Sequence, residues 1–141
     1  TMGAGQFCTN PGICVVLDGP QADGFIEAAT AALEPIGAQT MLTDGIAAAY
    51  RAGRDRIAGT AGVQEVLTSM CDLRNATPYL FATTGTEWLA NEVLGEEVFG
   101  PLGLIVRVSD FDEMLQIDPG VDDLIRDDPG RFEDDDDEEV K

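Results

Sequence analysis

Histidine is absent from this 141-residue chain. Without an imidazole, Cys-His and Ser-His nucleophile pairs are excluded, as is every metal site that depends on a His ligand, so any chemistry falls to carboxylates and thiols. Basic residues are scarce too: 8 Lys plus Arg stand against 27 Asp plus Glu, a net charge of −19, and the sole lysine is Lys141. A chain so acidic is repelled by nucleic-acid backbones and anionic membranes, and neither is expected as a partner. Cysteine is limited to Cys8, Cys14 and Cys71, an odd set without CxxC spacing. That argues against a disulfide framework and against a four-ligand zinc site, so no metal is expected and a reducing, cytoplasmic setting is the default. No apolar run approaches the roughly 20 residues of a membrane span, and the first residues lack the basic and apolar regions of a signal peptide.

What the chain does have is enough apolar residue, 44%, for the core of one domain. Ile13 to Leu17 (ICVVL) is a continuous β-branched run closed by Asp18-Gly19-Pro20, the pattern of a parallel-type strand buried on both faces. Residues 22–36 carry Phe25, Ile26, Ala29, Leu33 and Ile36 at helical spacing, with Pro35 and Gly37 marking the end. A second helix is expected over 44–57, with Asp44 as its N-cap and with Ile46, Ala49, Tyr50, Gly53 and Ile57 on one face. Further strands are expected at 63–68, 79–82 and 102–108, and a short helix at 110–117. Strands separated by helices predict an α/β layer with a mostly parallel sheet.

Charge divides the chain. Residues 1–109 carry a net −7, whereas 110–141 carry −12 and include seven consecutive carboxylates at 133–139. The division expected is a domain over 1–117 and a disordered acidic tail over 118–141, held extended by self-repulsion. The run lacks the spaced ligands and glycine of a calcium loop. Abundant acid with almost no lysine also suits a halophilic surface, on composition alone.

Gly5-Gln6-Phe7-Cys8-Thr9-Asn10-Pro11-Gly12 sets a thiol in a glycine-bounded turn just ahead of a strand, where a reactive cysteine could be presented. Read by itself, Cys8 could equally be a small buried hydrophobe. The segment resembles the nucleophile motif of the aldehyde dehydrogenase superfamily. With TMLTDGIAAAYRAG at Thr40 to Gly53 it is most similar to the α-ketoglutarate semialdehyde (2,5-dioxopentanoate) dehydrogenase branch. A second match is Glu96-Glu97-Val98-Phe99-Gly100-Pro101, similar to the superfamily's E-E-[IV]-F-G-P segment and in the same order along the chain.

The resemblance covers residues 3–117 and implies an incomplete aldehyde dehydrogenase catalytic domain. By it, Cys8 matches the nucleophile, its backbone amide matches one oxyanion donor, and Glu97 and Phe99 match the residues holding the ribose and ring of NADP or NAD. The implied reaction is oxidation of a semialdehyde to the acid through a cysteine thiohemiacetal and thioester. The superfamily's dinucleotide-binding domain, general-base glutamate and oxyanion asparagine lie before the cysteine motif, where this sequence has seven residues. The expectation is therefore a truncated piece, either an enzyme fragment or a non-catalytic remnant or interaction module. No dinucleotide is expected to bind it alone, and a homo-oligomer or a complementing chain is its conceivable partner.

Overall fold

The computed structural model describes residues 2–8 and 10–120; the seven-carboxylate run and most of the acidic tail lie outside them. Apolar runs become strands and helical periodicities become helices, in the order β1 (Ile13–Leu17), α1 (Pro20–Leu33), β2 (Gln39–Thr40), α2 (Asp44–Ala58), β3 (Gln64–Leu67), β4 (Asn75–Ala76), β5 (Tyr79–Thr84), α3 (Gly85–Ala90), β6 (Leu102–Val108) and α4 (Phe111–Ile117).

The main sheet has the strand order β1-β6-β5-β3. Strand β6 pairs in parallel with β1, from Ile13↔Leu104 to Leu17↔Val108, and in parallel with β5, from Tyr79↔Leu102 to Thr84↔Arg107. Strand β3 runs antiparallel to β5, so the sheet is mostly rather than wholly parallel. A separate antiparallel ribbon, β2 with β4, pairs Gln39↔Ala76 and Thr40↔Asn75.

β5 and β6 are the buried centre, as their largely apolar sequences require. β1 corrects the expectation of a strand buried on both faces: it is an edge strand, and Ile13 and Leu17 are 44% and 41% exposed. On one face of the sheet α2 covers a large cluster that includes Tyr50, Phe81, Leu94, Leu104, Val106 and Val108. On the other face α1 covers a smaller one, Leu80, Ala82 and Ile105, with Ile26, Ala29 and Leu33 packed against it.

α1 starts at Pro20, whose fixed φ suits a first helical turn, and stops at Leu33; Glu34 still has helical geometry and its amide donates to Thr30 O, but Pro35 has no N–H with which to continue the ladder. The N-cap of α2 is Thr43 rather than Asp44; its hydroxyl accepts from the Ile46 amide at 3.1 Å, while Asp44 is the first helical residue. Asp110 caps α4 by accepting from the Glu113 amide at 2.8 Å. At the carboxyl ends of β1 and β6, Arg107 bonds Asp18 (Nε to Oδ1, 2.6 Å) and Asp23 (Nη1 to Oδ1, 2.8 Å), tying both strands to the first turn of α1. Among the described residues no helix is long and apolar enough to cross a membrane.

Candidate active site

Because β1 and β6 are parallel neighbours in register, the segments that lead into them must lie side by side. The Leu104 amide donates to Gly12 O at 2.9 Å where the two strands begin. Cys8 arrives on the lead-in to β1, and Glu97 and Phe99 arrive on the lead-in to β6. All three line one cleft of about 270 Å³ at the amino ends of the strands. Its floor is apolar, with Ile57, Leu94, Leu102 and Leu104.

The two lead-ins meet through glycines. Gly5 has φ +65°, and a Cβ there would sit 2.5 Å from Gly100 O and 2.8 Å from Pro101 N. Gly100 has φ +152°, and a Cβ on it would run into the Tyr50 ring. Only glycine meets both demands, of conformation and of space. Asn10 adds a tether, donating from Nδ2 to Gly100 O at 3.3 Å, while its amide closes a turn onto Phe7 O at 3.0 Å.

Cys8 is exposed and free. Phe99 is 40% exposed and Glu97 is exposed, so a ring face and a carboxylate stand open to a ligand. Glu96 beside them is engaged by Arg56, Nη2 to Oε2 at 3.0 Å. No Lys, Arg or His lines the cleft among the described residues. The other two thiols take no part in it: Cys14 is partly buried in β1, which raises its pKa and keeps it protonated, and Cys71 donates from Sγ to Asn75 O at 2.8 Å. No group of His, Cys, Asp and Glu among the described residues could hold a metal ion.

At about 270 Å³ the cleft is smaller than the roughly 300–1,000 Å³ of drug-sized sites. Sequence reasoning did not single out Asn10; its position ahead of Pro11-Gly12 marks a turn, but the turn's partner, Gly100, is 90 residues away.

The chain is 42% identical over 122 residues to alpha-ketoglutaric semialdehyde dehydrogenase 2 of Azospirillum brasilense, and 31% identical over 117 residues to the alpha-ketoglutaric semialdehyde dehydrogenase of Acinetobacter baylyi. Those matches take in 83% and 81% of this chain, which spans 23% and 22% of the two relatives. In fold it is similar to a crystallised NAD-dependent benzaldehyde dehydrogenase from Corynebacterium glutamicum, with TM-score 0.66 and 20% identity, over 81% of this chain and 26% of that one. No family model matches.

Proposed function

Since this chain is part of an aldehyde dehydrogenase-like catalytic domain, we propose that residues 1–117 carry the thiol and the nicotinamide-side wall of a semialdehyde dehydrogenase active site, with 118–141 as an acidic tail. The observation that supports it is the meeting of Cys8, Glu97 and Phe99, some 90 residues apart in sequence, in one cleft. The Cys8 thiolate adds to the aldehyde carbon; the new S–C bond sends the carbonyl π pair onto oxygen, and the Cys8 amide donates to that alkoxide. As the alkoxide re-forms its carbonyl, the aldehydic hydrogen leaves with its electron pair, and a thioester remains on Cys8. NADP or NAD, when bound, supplies the acceptor for that hydride. Glu97 would accept from its ribose hydroxyls and Phe99 would pack on its ring. Water then releases the acid and returns the thiol. The substrate proposed is α-ketoglutarate semialdehyde, after the relatives' names.

Neither a general base nor a second oxyanion donor is proposed among these 141 residues. A general base contributes about 10²–10⁴-fold and an oxyanion donor about 10²–10³-fold, so the chain alone is slower than a complete site by about 10⁴–10⁷. The absence of any Lys, Arg or His from the cleft lining among the described residues favours the second reading, a non-catalytic remnant that binds no whole dinucleotide. One experiment judges both: NADH and NADPH absorbance is followed with α-ketoglutarate semialdehyde in high salt, beside iodoacetamide labelling of Cys8 with and without the aldehyde, with Cys8→Ala as control. The expected result is aldehyde protection of Cys8 without nucleotide reduction. Cys8-dependent turnover would overturn the remnant reading, and no protection with no turnover would overturn the catalytic one.

A further inference from the structure

The turn entering the cysteine segment is left-handed over three successive residues, Gly3 (φ 59°), Ala4 (φ 55°) and Gly5 (φ 65°). Glycine adopts this freely, but an alanine does so at a cost and only where its surroundings hold it. Ala4 is 1% exposed, so it is held inside the core. Two glutamines account for the hold, and they do so reciprocally. The Ala4 amide donates to Gln39 Oε1 at 2.6 Å, and the Leu42 amide donates to Gln6 Oε1 at 2.7 Å. Gln6 also turns its Nε2 back onto Gly3 O at 2.8 Å, which closes the left-handed turn on itself.

Gln39 is itself fixed. It lies in β2, paired to Ala76 of β4, and the Thr40 hydroxyl donates to Asn75 Oδ1 at 2.8 Å. The Met41 amide donates to Arg74 O at 2.9 Å, and Arg74 Nη2 donates to Leu42 O at 2.8 Å. The small ribbon pairs with no strand of the main sheet among the described residues; Ala76 packs into the core, and Gln39 reaches the turn ahead of Cys8. We propose that Gln39 and Gln6 are positioning residues for Cys8: together they strap the left-handed turn and so set where the thiol enters the cleft. The ribbon is the anchor of that strap. The assignment rests on the reading of Cys8 as the nucleophile.

The test is the pH-rate profile of iodoacetamide labelling at each cysteine, read by peptide mass, in the wild type, Gln39→Leu, Gln39→Glu and Gln6→Met, with aldehyde protection of Cys8 measured alongside. Gln39→Glu keeps an acceptor for the Ala4 amide. The expected result is at least a threefold change in the Cys8 rate for Gln39→Leu and Gln6→Met, toward the rate of a free cysteine in an unstructured peptide. Gln39→Glu should stay within twofold of wild type, and Cys14 should remain slow throughout. Unchanged Cys8 rates, a Glu variant as impaired as the Leu variant, or Cys14 labelling rising together with Cys8 in both Gln39→Leu and Gln6→Met would each overturn the strap. Should Gln39→Leu fail to fold, Gln6→Met and amide exchange of the wild type decide: Ala4 and Leu42 are expected to be protected, and exchange at the unfolded-chain rate sinks the proposal. Lack of aldehyde protection in the wild type would sink the nucleophile reading instead, leaving the labelling-rate comparison to judge the strap.

Discussion

Leu80 and Phe81 are neighbours on β5, yet they face two different cores. Phe81 faces α2 and is fully enclosed among Tyr50, Leu104, Val106 and their neighbours. Leu80 faces α1, in a cluster of three buried residues bordered by an apolar cavity of about 250 Å³ between Phe25, Ala29 and Leu33 of the helix and the amino ends of the strands. The same strand therefore carries one closed core and one thin one. The cleft with Cys8 rests on the closed side, since its floor residues Ile57, Leu94, Leu102 and Leu104 all belong to the α2 face. A site needs fixed walls, and this molecule has put them where its packing is complete.

The largest effect expected from that contrast is Phe81→Ala, at about 3–5 kcal/mol by urea unfolding, against about 2–3 kcal/mol for Leu80→Ala, whose surroundings are already open. Equal losses, or a reversal, would erase the distinction between the faces. Next comes Thr43→Ala, which uncaps the helix of the closed face and should cost about 1 kcal/mol, where Asp44→Ala should cost a few tenths of a kcal/mol or so; the opposite ranking would restore Asp44 as the cap. The thin face is also tied by charge at Arg107, and Arg107→Met should cost about 0.5–1 kcal/mol at low salt. That loss should shrink in 1 M KCl, where the Debye length is about 3 Å, even as the wild type's thermal midpoint rises with screening of its net charge. A Phe81→Ala loss that shrank equally with salt would show the comparison to be mistaken.

The smallest expected effect is at Glu113. Its carboxylate accepts from the Ser109 amide at 2.7 Å and from the Ser109 hydroxyl at 3.0 Å, and these bonds hold its pKa below the usual carboxylate value. A lowered folded-state pKa means that the contribution is present above the unfolded value and is lost as pH falls through the folded one. Glu113→Gln should therefore reduce stability slightly at pH 7 and leave the acid limb of the stability curve flatter. An unchanged acid limb in chemical denaturation would remove this contribution.

The strongest strand, β6, was legible to the residue because LGLIVRV is largely apolar and rich in β-branched residues, and the two long helices followed from their periodicity. What sequence could not show is whatever depends on neighbours. Ile13 to Leu17 reads as fully buried, yet only the sheet order makes it an edge. The two-residue strands β2 and β4 are too short to carry a period, and the 3.6-residue pattern is not readable in the six residues of α3. At the site, Cys8, Glu97 and Phe99 stood out through their motifs. Gln39 did not, since nothing around it locally says that its side chain meets an amide 35 residues earlier.

The pairing of Ile13 with Leu104 also sets an order of events in synthesis. The strand that shelters the lead-in of the cysteine segment is complete only some 90 residues after that segment has been made. At about 5–20 residues per second, that leaves roughly 5–20 s in which the thiol is attached to the ribosome without its cleft. A thiol that precedes its sheltering strand by that interval is exposed to oxidants and stray electrophiles while its chain is still being read. The damage such a chain accumulates would thus depend on translation speed as well as on the finished fold.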